Sequence, residues 1–155
     1  MNKFDYIIIG AGCSGLSLLY EMNKNNILQN KTCAIFDKRK NFNKDKIWSY
    51  WNVFEHSFND CLIDKWNKIS IRYNSEEIIL DCNNFEYHSI DSGKFYNKVL
   101  DNVSSNKNIS FFLDHSIDKI SESNNEVIVQ TKNQSFYTNL VFDSSLEDNN
   151  TKEVH

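Results

Sequence analysis

Three of the chain's four glycines fall between positions 10 and 15, in the run Gly10-Ala11-Gly12-Cys13-Ser14-Gly15. No other feature restricts the fold as much. The run follows Tyr6-Ile7-Ile8-Ile9, a continuous β-branched stretch of the kind buried on both faces of a parallel sheet. After it, Leu16, Leu19 and Met22, with Leu18 beside them, keep helical spacing until the polar stretch Asn23 to Asn26. Thr32 to Asp37 then reads as a second buried strand. Strand, helix and strand over this length make one right-handed crossover unit with parallel strands.

Each glycine in such a unit has a physical task. Gly10 permits the tight turn out of the strand, Gly12 lets the backbone approach a diphosphate, and Gly15 lets helix and strand pack closely. The phosphates then sit on amides at the positive end of a helix beginning near Cys13. An acid is also required at the end of the second strand, about 20 residues on, to take the ribose hydroxyls. Asp37 stands there, 22 residues past Gly15. A carboxylate in that place suits the unphosphorylated ribose of FAD or NAD and repels the 2′-phosphate of NADP. The cofactor-binding candidates are therefore Gly10, Gly12, Cys13, Ser14, Gly15 and Asp37, joined by Lys38 and Arg39, whose charges read equally as solvated loop residues. The fold class that follows is α/β, a Rossmann-like FAD/NAD(P)-binding domain.

Composition narrows the partners. The chain has 155 residues, enough for one domain with a real core but not for two complete ones. A net charge of -4, with lysines scattered along the chain, gives no footprint for nucleic acid. The longest apolar runs, Tyr6 to Ile9 and Phe111 to Leu113, fall far short of the roughly 20 residues that span a bilayer. Residues 1–9 lack the order of a signal peptide, so a cytoplasmic location is expected. Cys13, Cys33, Cys61 and Cys82 lie 20, 28 and 21 residues apart and read as buried thiols, and the four histidines are equally dispersed. No metal site is expected.

Beyond the first unit, residues 41–65 lose periodicity but keep Trp48, Tyr50, Trp51, Phe54 and Phe58, and read as an irregular segment folded onto something apolar. Ile69, Ile71 and Tyr73, a turn at Asn74-Ser75, and Ile78 to Leu80 predict a hairpin over 68–81. Asp91 or Ser92 caps a helix to about Val103 with Phe95, Val99, Leu100 and Val103 inward. Strands are expected at Ile109–Leu113, Ile117–Ile120, Val127–Thr131, Phe136–Thr138 and Leu140–Asp143, grouped as an antiparallel β meander. Residues 1–143 thus form one FAD/NAD(P)-binding domain, with 41–65 and the hairpin beginning a substrate region. Residues 144–155 read as a disordered tail.

The series Asp45-Lys46-Ile47-Trp48-Ser49-Tyr50-Trp51, Trp66 opening a strand, Tyr87-His88-Ser89-Ile90 leading to Phe95-Tyr96, and Leu140-Val141-Phe142-Asp143-Ser144 resembles the lycopene cyclases, the bacterial β-cyclases in particular, up to about residue 145. The resemblance implies FAD in its reduced form and a redox-neutral, acid-catalysed ring closure on lycopene, an isomerase reaction of carotenoid synthesis. It also implies lycopene and a membrane surface as partners. The family's paired carboxylates in a Phe-Leu-Glu-Glu-type motif have no counterpart, since Glu76-Glu77 sits in the hairpin. No catalytic residue is therefore assigned. The chain is expected to be an amino-terminal portion, incomplete relative to the family and inactive alone, completed by a separately encoded carboxy-terminal portion if by anything. Two other readings share the glycine run. One is the amino-terminal part of a redox flavoenzyme such as a monooxygenase or prenyl reductase. The other is a non-catalytic dinucleotide-binding remnant.

Overall fold

The computed structural model describes residues 2–44, 46–123 and 126–144. In chain order its elements are β1 (Lys3–Ile9), α1 (Cys13–Lys24), β2 (Cys33–Asp37), β3 (Ile47–Trp51), a 3-10 turn (Asn59–Cys61), β4 (Leu62–Trp66), β5 (Lys68–Tyr73), β6 (Glu76–Asp81) and β7 (Tyr87–Asp91). They continue with α2 (Ser92–Val103), β8 (Ile109–Leu113), β9 (Lys119–Ser123), β10 (Glu126–Gln130) and β11 (Ser135–Asp143). The chain divides into two compact units, residues 1–41 with 101–155, and residues 42–100.

The first unit is a six-stranded sheet in the order β8-β2-β1-β11-β10-β9. Strands β8, β2, β1 and β11 run parallel, and β9 and β10 complete the sheet antiparallel to their neighbours. The centre behaves as the β-branched runs predict. Ile7, Ile8, Ala34, Ile35 and Phe36 are wholly buried. On one face Ile7, Ile9, Ala34 and Phe36 pack with Val129 and Phe136. Phe36 stacks on Phe112 at 4.7 Å and meets the edge of Phe136 at 4.8 Å. Such offset and edge-on geometries suit the ring quadrupoles.

Three expectations need correction here. The stretch Ile109–Leu113 pairs parallel with β2 and so is not part of the meander, which consists of β9, β10 and β11. Phe136–Thr138 and Leu140–Asp143 are one nine-residue strand, β11. Thr138 joins them, because its buried hydroxyl donates to the Asp5 carbonyl at 3.0 Å and keeps the chain extended. The strand expected at Ile117–Ile120 is displaced to Lys119–Ser123, where Ile120 is the single apolar residue and alternation carries little signal.

In the second unit β3, β7 and β4 form a three-stranded antiparallel sheet, and β5 and β6 a separate hairpin. The segment 41–65, expected to be irregular, therefore contains β3 and nearly all of β4. Trp66 ends a strand and does not open one. Helix α2 spans the predicted residues, but Tyr96, 1% exposed, belongs to its inner stripe, whereas Leu100 is only half-buried. Trp48 of β3 packs edge-on against Phe95 at 5.3 Å and Tyr96 at 5.6 Å, and Phe58 closes on Phe95 at 4.8 Å. The expected tail lies outside the described residues except for Ser144.

Candidate functional site

Gly10 leaves β1 with φ of +92°, a conformation L side chains rarely adopt. Its amide donates to the Phe36 carbonyl at 2.8 Å, so the turn hangs from the end of β2 as well as β1. A Cβ at Gly15 would collide with the Gly10 carbonyl oxygen and lie 3.1 Å from Ile8 Cγ2, so glycine alone allows α1 to seat this close to β1. Gly12 is different: a Cβ there would meet nothing within 4 Å. The space above the turn is open where a diphosphate would approach the backbone.

Helix α1 begins at Cys13, and its first intrahelical bond runs from the Leu16 amide to the Gly12 carbonyl at 3.0 Å. The amides of Cys13, Ser14 and Gly15 precede that bond and stand at the positive end of the helix. No side chain caps Gly12 and no acid lies in the first turn of the helix. Ser14 is exposed at this end and Cys13 half-buried. Burial pushes the Cys13 thiol up, and the Cys33 thiol up to about 12. Both stay protonated at neutral pH and are poor nucleophiles.

Asp37 closes β2 beside this turn. Its Oδ2 accepts from the Ala11 amide at 2.8 Å and from Arg39 Nη2 at 3.0 Å. Its Oδ1 accepts from the Arg39 amide at 2.7 Å and Arg39 Nε at 3.0 Å. Burial raises the carboxyl's pKa, but the hydrogen bonds and charge of Arg39 and the Ala11 amide outweigh it, and the net direction is downward. Arg39 also donates through Nη2 to the Ala11 carbonyl at 2.6 Å. It is thus no solvated loop charge, whereas Lys38 is exposed.

Ser144 is the residue that sequence reasoning missed at this turn. Its amide donates to the Ile9 carbonyl at 2.8 Å, and its hydroxyl lies 3.0 Å from the carbonyl oxygens of both Ile9 and Gly10. A Cβ at Gly10 would come within 2.7 Å of that hydroxyl. The end of β11 therefore fixes the glycine turn from below. Only the parallel pairing of β11 with β1 brings residue 144 to residue 10, and nothing local in the sequence announces it.

The aromatic block of the second unit divides by face. Trp48 and Tyr50 are half-buried, with Tyr50 Oη 2.7 Å from His56 Nε2, while Trp51 is 51% exposed beside Tyr87. Ser49 and Ser89 pair their hydroxyls at 2.5 Å. Glu76 and Glu77 are exposed, and Glu77 pairs with Arg72 at 2.8 Å. Among the described residues no helix is long and apolar enough to cross a membrane.

Solved structures share this fold at low sequence identity. The chain is similar to p-nitrophenol 4-monooxygenase PnpA from Pseudomonas putida, with 12% identity, a TM-score of 0.69, and coverage of 92% of this chain and 41% of that one. It is also similar to halogenase PltM in complex with phloroglucinol and FAD, with 12% identity, a TM-score of 0.62, and coverage of 94% and 35%. A third is NikD, an unusual amino acid oxidase essential for nikkomycin biosynthesis, with 9% identity, a TM-score of 0.64, and coverage of 93% and 51%. The chain spans between a third and a half of the length of these structures. No curated protein sequence matches it. Residues 5–153 match the lycopene cyclase protein family, and the chain belongs to that family.

Proposed function

We propose that this chain is the FAD-binding portion of a lycopene cyclase. The observation that carries the reading is the pairing of an open backbone approach at Gly12 with a carboxylate, Asp37, directed at the same turn. The donor set fits a dinucleotide. Exposed helix amides and an uncapped glycine suit a diphosphate, and an acid at the strand end suits a ribose diol. FAD bound to PltM on the same fold supports the choice of cofactor.

In this reading the backbone from Gly10 to Gly15 holds the diphosphate, Asp37 holds the adenosine ribose, and Ser144 keeps the turn in shape. Bound in its reduced form, FAD would supply negative charge able to stabilise a carbocation. The reaction of the whole enzyme is ring closure on lycopene. A proton adds to a terminal double bond, the neighbouring alkene attacks the resulting cation, and a proton is lost, so no electrons are transferred overall. Such chemistry needs an acid in a dry site. No residue of this chain is assigned that role, and the acid is proposed to come from a separately encoded or otherwise additional carboxy-terminal portion. Lycopene and the bilayer that dissolves it are the proposed substrate and surface.

The test is flavin binding by the purified chain. FAD titrated into the protein should quench flavin fluorescence saturably, with ADP competing. Asp37→Ala should weaken binding at least about tenfold, the loss expected when a charge-assisted pair of hydrogen bonds disappears. Failure to bind either FAD or ADP, both by the wild type and by a variant with the Arg39 side chain removed, would remove the proposal. Ring closure by the purified chain would remove the assignment of the acid to another portion.

A further inference from the structure

A carboxylate offers about four lone-pair sites. At Asp37 the protein's own donors account for four: the Ala11 amide, and the amide, Nε and Nη2 of Arg39, at 2.7–3.0 Å. Two of those four come from a single guanidinium. The Arg39 side chain is 25% exposed, and a further bond from its Nη2 reaches the Ala11 carbonyl at 2.6 Å. It is therefore fastened across the place where a ribose would reach Asp37. The two backbone donors are fixed by the fold, whereas the guanidinium sits on rotatable bonds.

From this arrangement we infer that Arg39 is a latch on the ribose seat: its guanidinium and the ribose diol compete for the same two acceptor positions on Asp37, and a dinucleotide binds by displacing it. This rests on the reading of the glycine turn as a dinucleotide site and adds a regulation of that site. A ligand that must first open a latch loses affinity in proportion to the fraction of molecules in which the latch is open. Arg39 thus lowers affinity, although a basic residue beside a phosphate site would ordinarily be expected to raise it. The competition is specific for the sugar. Removing a ribose hydroxyl from the ligand removes part of the contest, so the cost imposed by Arg39 shrinks with it.

The experiment compares ADP and 2′-deoxy-ADP binding to the full chain by calorimetry for wild type, Arg39→Ala, Arg39→Lys and Arg39→Ala in an Asp37→Asn background. Arg39→Ala should tighten ADP binding on the order of tenfold, the gain expected if the seat is open in about one molecule in ten. The gain for 2′-deoxy-ADP should be clearly smaller. Lysine, a single-point donor, should fall between alanine and arginine. In the Asp37→Asn background the gain should be much smaller, because the amide keeps one acceptor oxygen but loses the charge and the second acceptor that hold the guanidinium. A general structural effect would move both ligands alike.

Equal or weaker ADP binding by Arg39→Ala, with the wild type binding normally, overturns the latch and leaves the dinucleotide site standing. Binding of ADP and FAD by neither wild type nor Arg39→Ala overturns the site itself. Should Arg39→Ala not fold, Arg39→Lys carries the same test: tighter binding with a smaller gain for the deoxy ligand supports the latch, and unchanged or weaker binding refutes it.

Discussion

Strands β1 and β2 and the hairpin β5–β6 are built from nearly the same apolar alphabet and end in opposite environments. Ile7, Ile8 and Ile35 are fully buried, whereas Ile71, Ile78 and Ile79 are 53%, 58% and 60% exposed. The difference lies in their neighbours. β1 has β2 on one side and β11 on the other, with Gly15 allowing α1 to close over it. Among the described residues the hairpin pairs only with itself. Its register sets Ile69 against Leu80 and Ile71 against Ile78, so one face is almost entirely apolar. An isolated two-stranded ribbon is marginally stable in water. An apolar run therefore specifies extended backbone, but the elements that flank it decide whether it stabilises anything.

That contrast makes substitutions in the first unit costly and graded. Gly15→Val should have the largest effect, because Cβ alone collides with the Gly10 carbonyl and no side chain can move to relieve a backbone clash. A loss above about 4 kcal/mol is expected in urea unfolding, in the range reserved for a packing collision or broken backbone. A loss under about 1 kcal/mol would mean that α1 can back away from β1, and the comparison would lose its anchor. Next comes Ile35→Ala, which should cost about 2–5 kcal/mol, since its site is closed on both faces and cannot collapse fully.

The acid limb of the stability curve probes the same unit more gently. Asp5 is held down to about 2 from 3.8, by its hydrogen bond with Lys31 first and by the Thr32 amide next. These contacts tie β1 to the residues entering β2, through the Thr32 amide at 2.8 Å and Lys31 at 2.9 Å. A carboxylate whose folded pKa is depressed contributes its stability fully above the unfolded value. That contribution falls away as pH drops from about 3.8 through about 2. Lys31 is half exposed, so the amount after screening is no more than about 1 kcal/mol. Asp5→Asn should flatten that window of the pH–stability curve and leave the slope above pH 5 unchanged; an unaltered acid limb would show that the pair is solvated.

How far the sequence announced these features depends on how local their causes are. The β1-α1-β2 unit and Asp37 were legible because hydrophobic period, glycine turn and strand end lie within one contiguous stretch. The hairpin was equally legible, its partners being separated by Asn74-Ser75 alone. Strand β3 was not, because the adjacent apolar pairs Ile47-Trp48 and Tyr50-Trp51 break any alternation, its partner β7 lies some 40 residues on and α2 supplies the cover for Trp48. The placement of β8 beside β2 and of Ser144 beneath Gly10 escaped for the same reason. At Arg39 the charge was visible, but whether it faced water or Asp37 depended on the fold of the loop.

The smallest expected effect tests the other half of the comparison. Ile79 stands opposite Ser70, between the Arg72–Glu77 and Lys68–Asp81 pairs, on the hairpin face away from Ile71 and Ile78. With most of its surface already in water, its side chain contributes little burial, and the hydroxyl of Ser70 offers a serine a cross-strand partner. Ile79→Ser should therefore change stability by no more than about 0.5 kcal/mol, the range of surface positions with no special role. A drop of about 2 kcal/mol or more would mean that packed neighbours cover this strand as they cover β2, since a residue still exposed to water has no burial of that size to lose. Repeating the measurement over a wide range of protein concentration identifies such a cover: a drop that grows with concentration places it on a second copy of the chain, and a constant one places it within the same molecule.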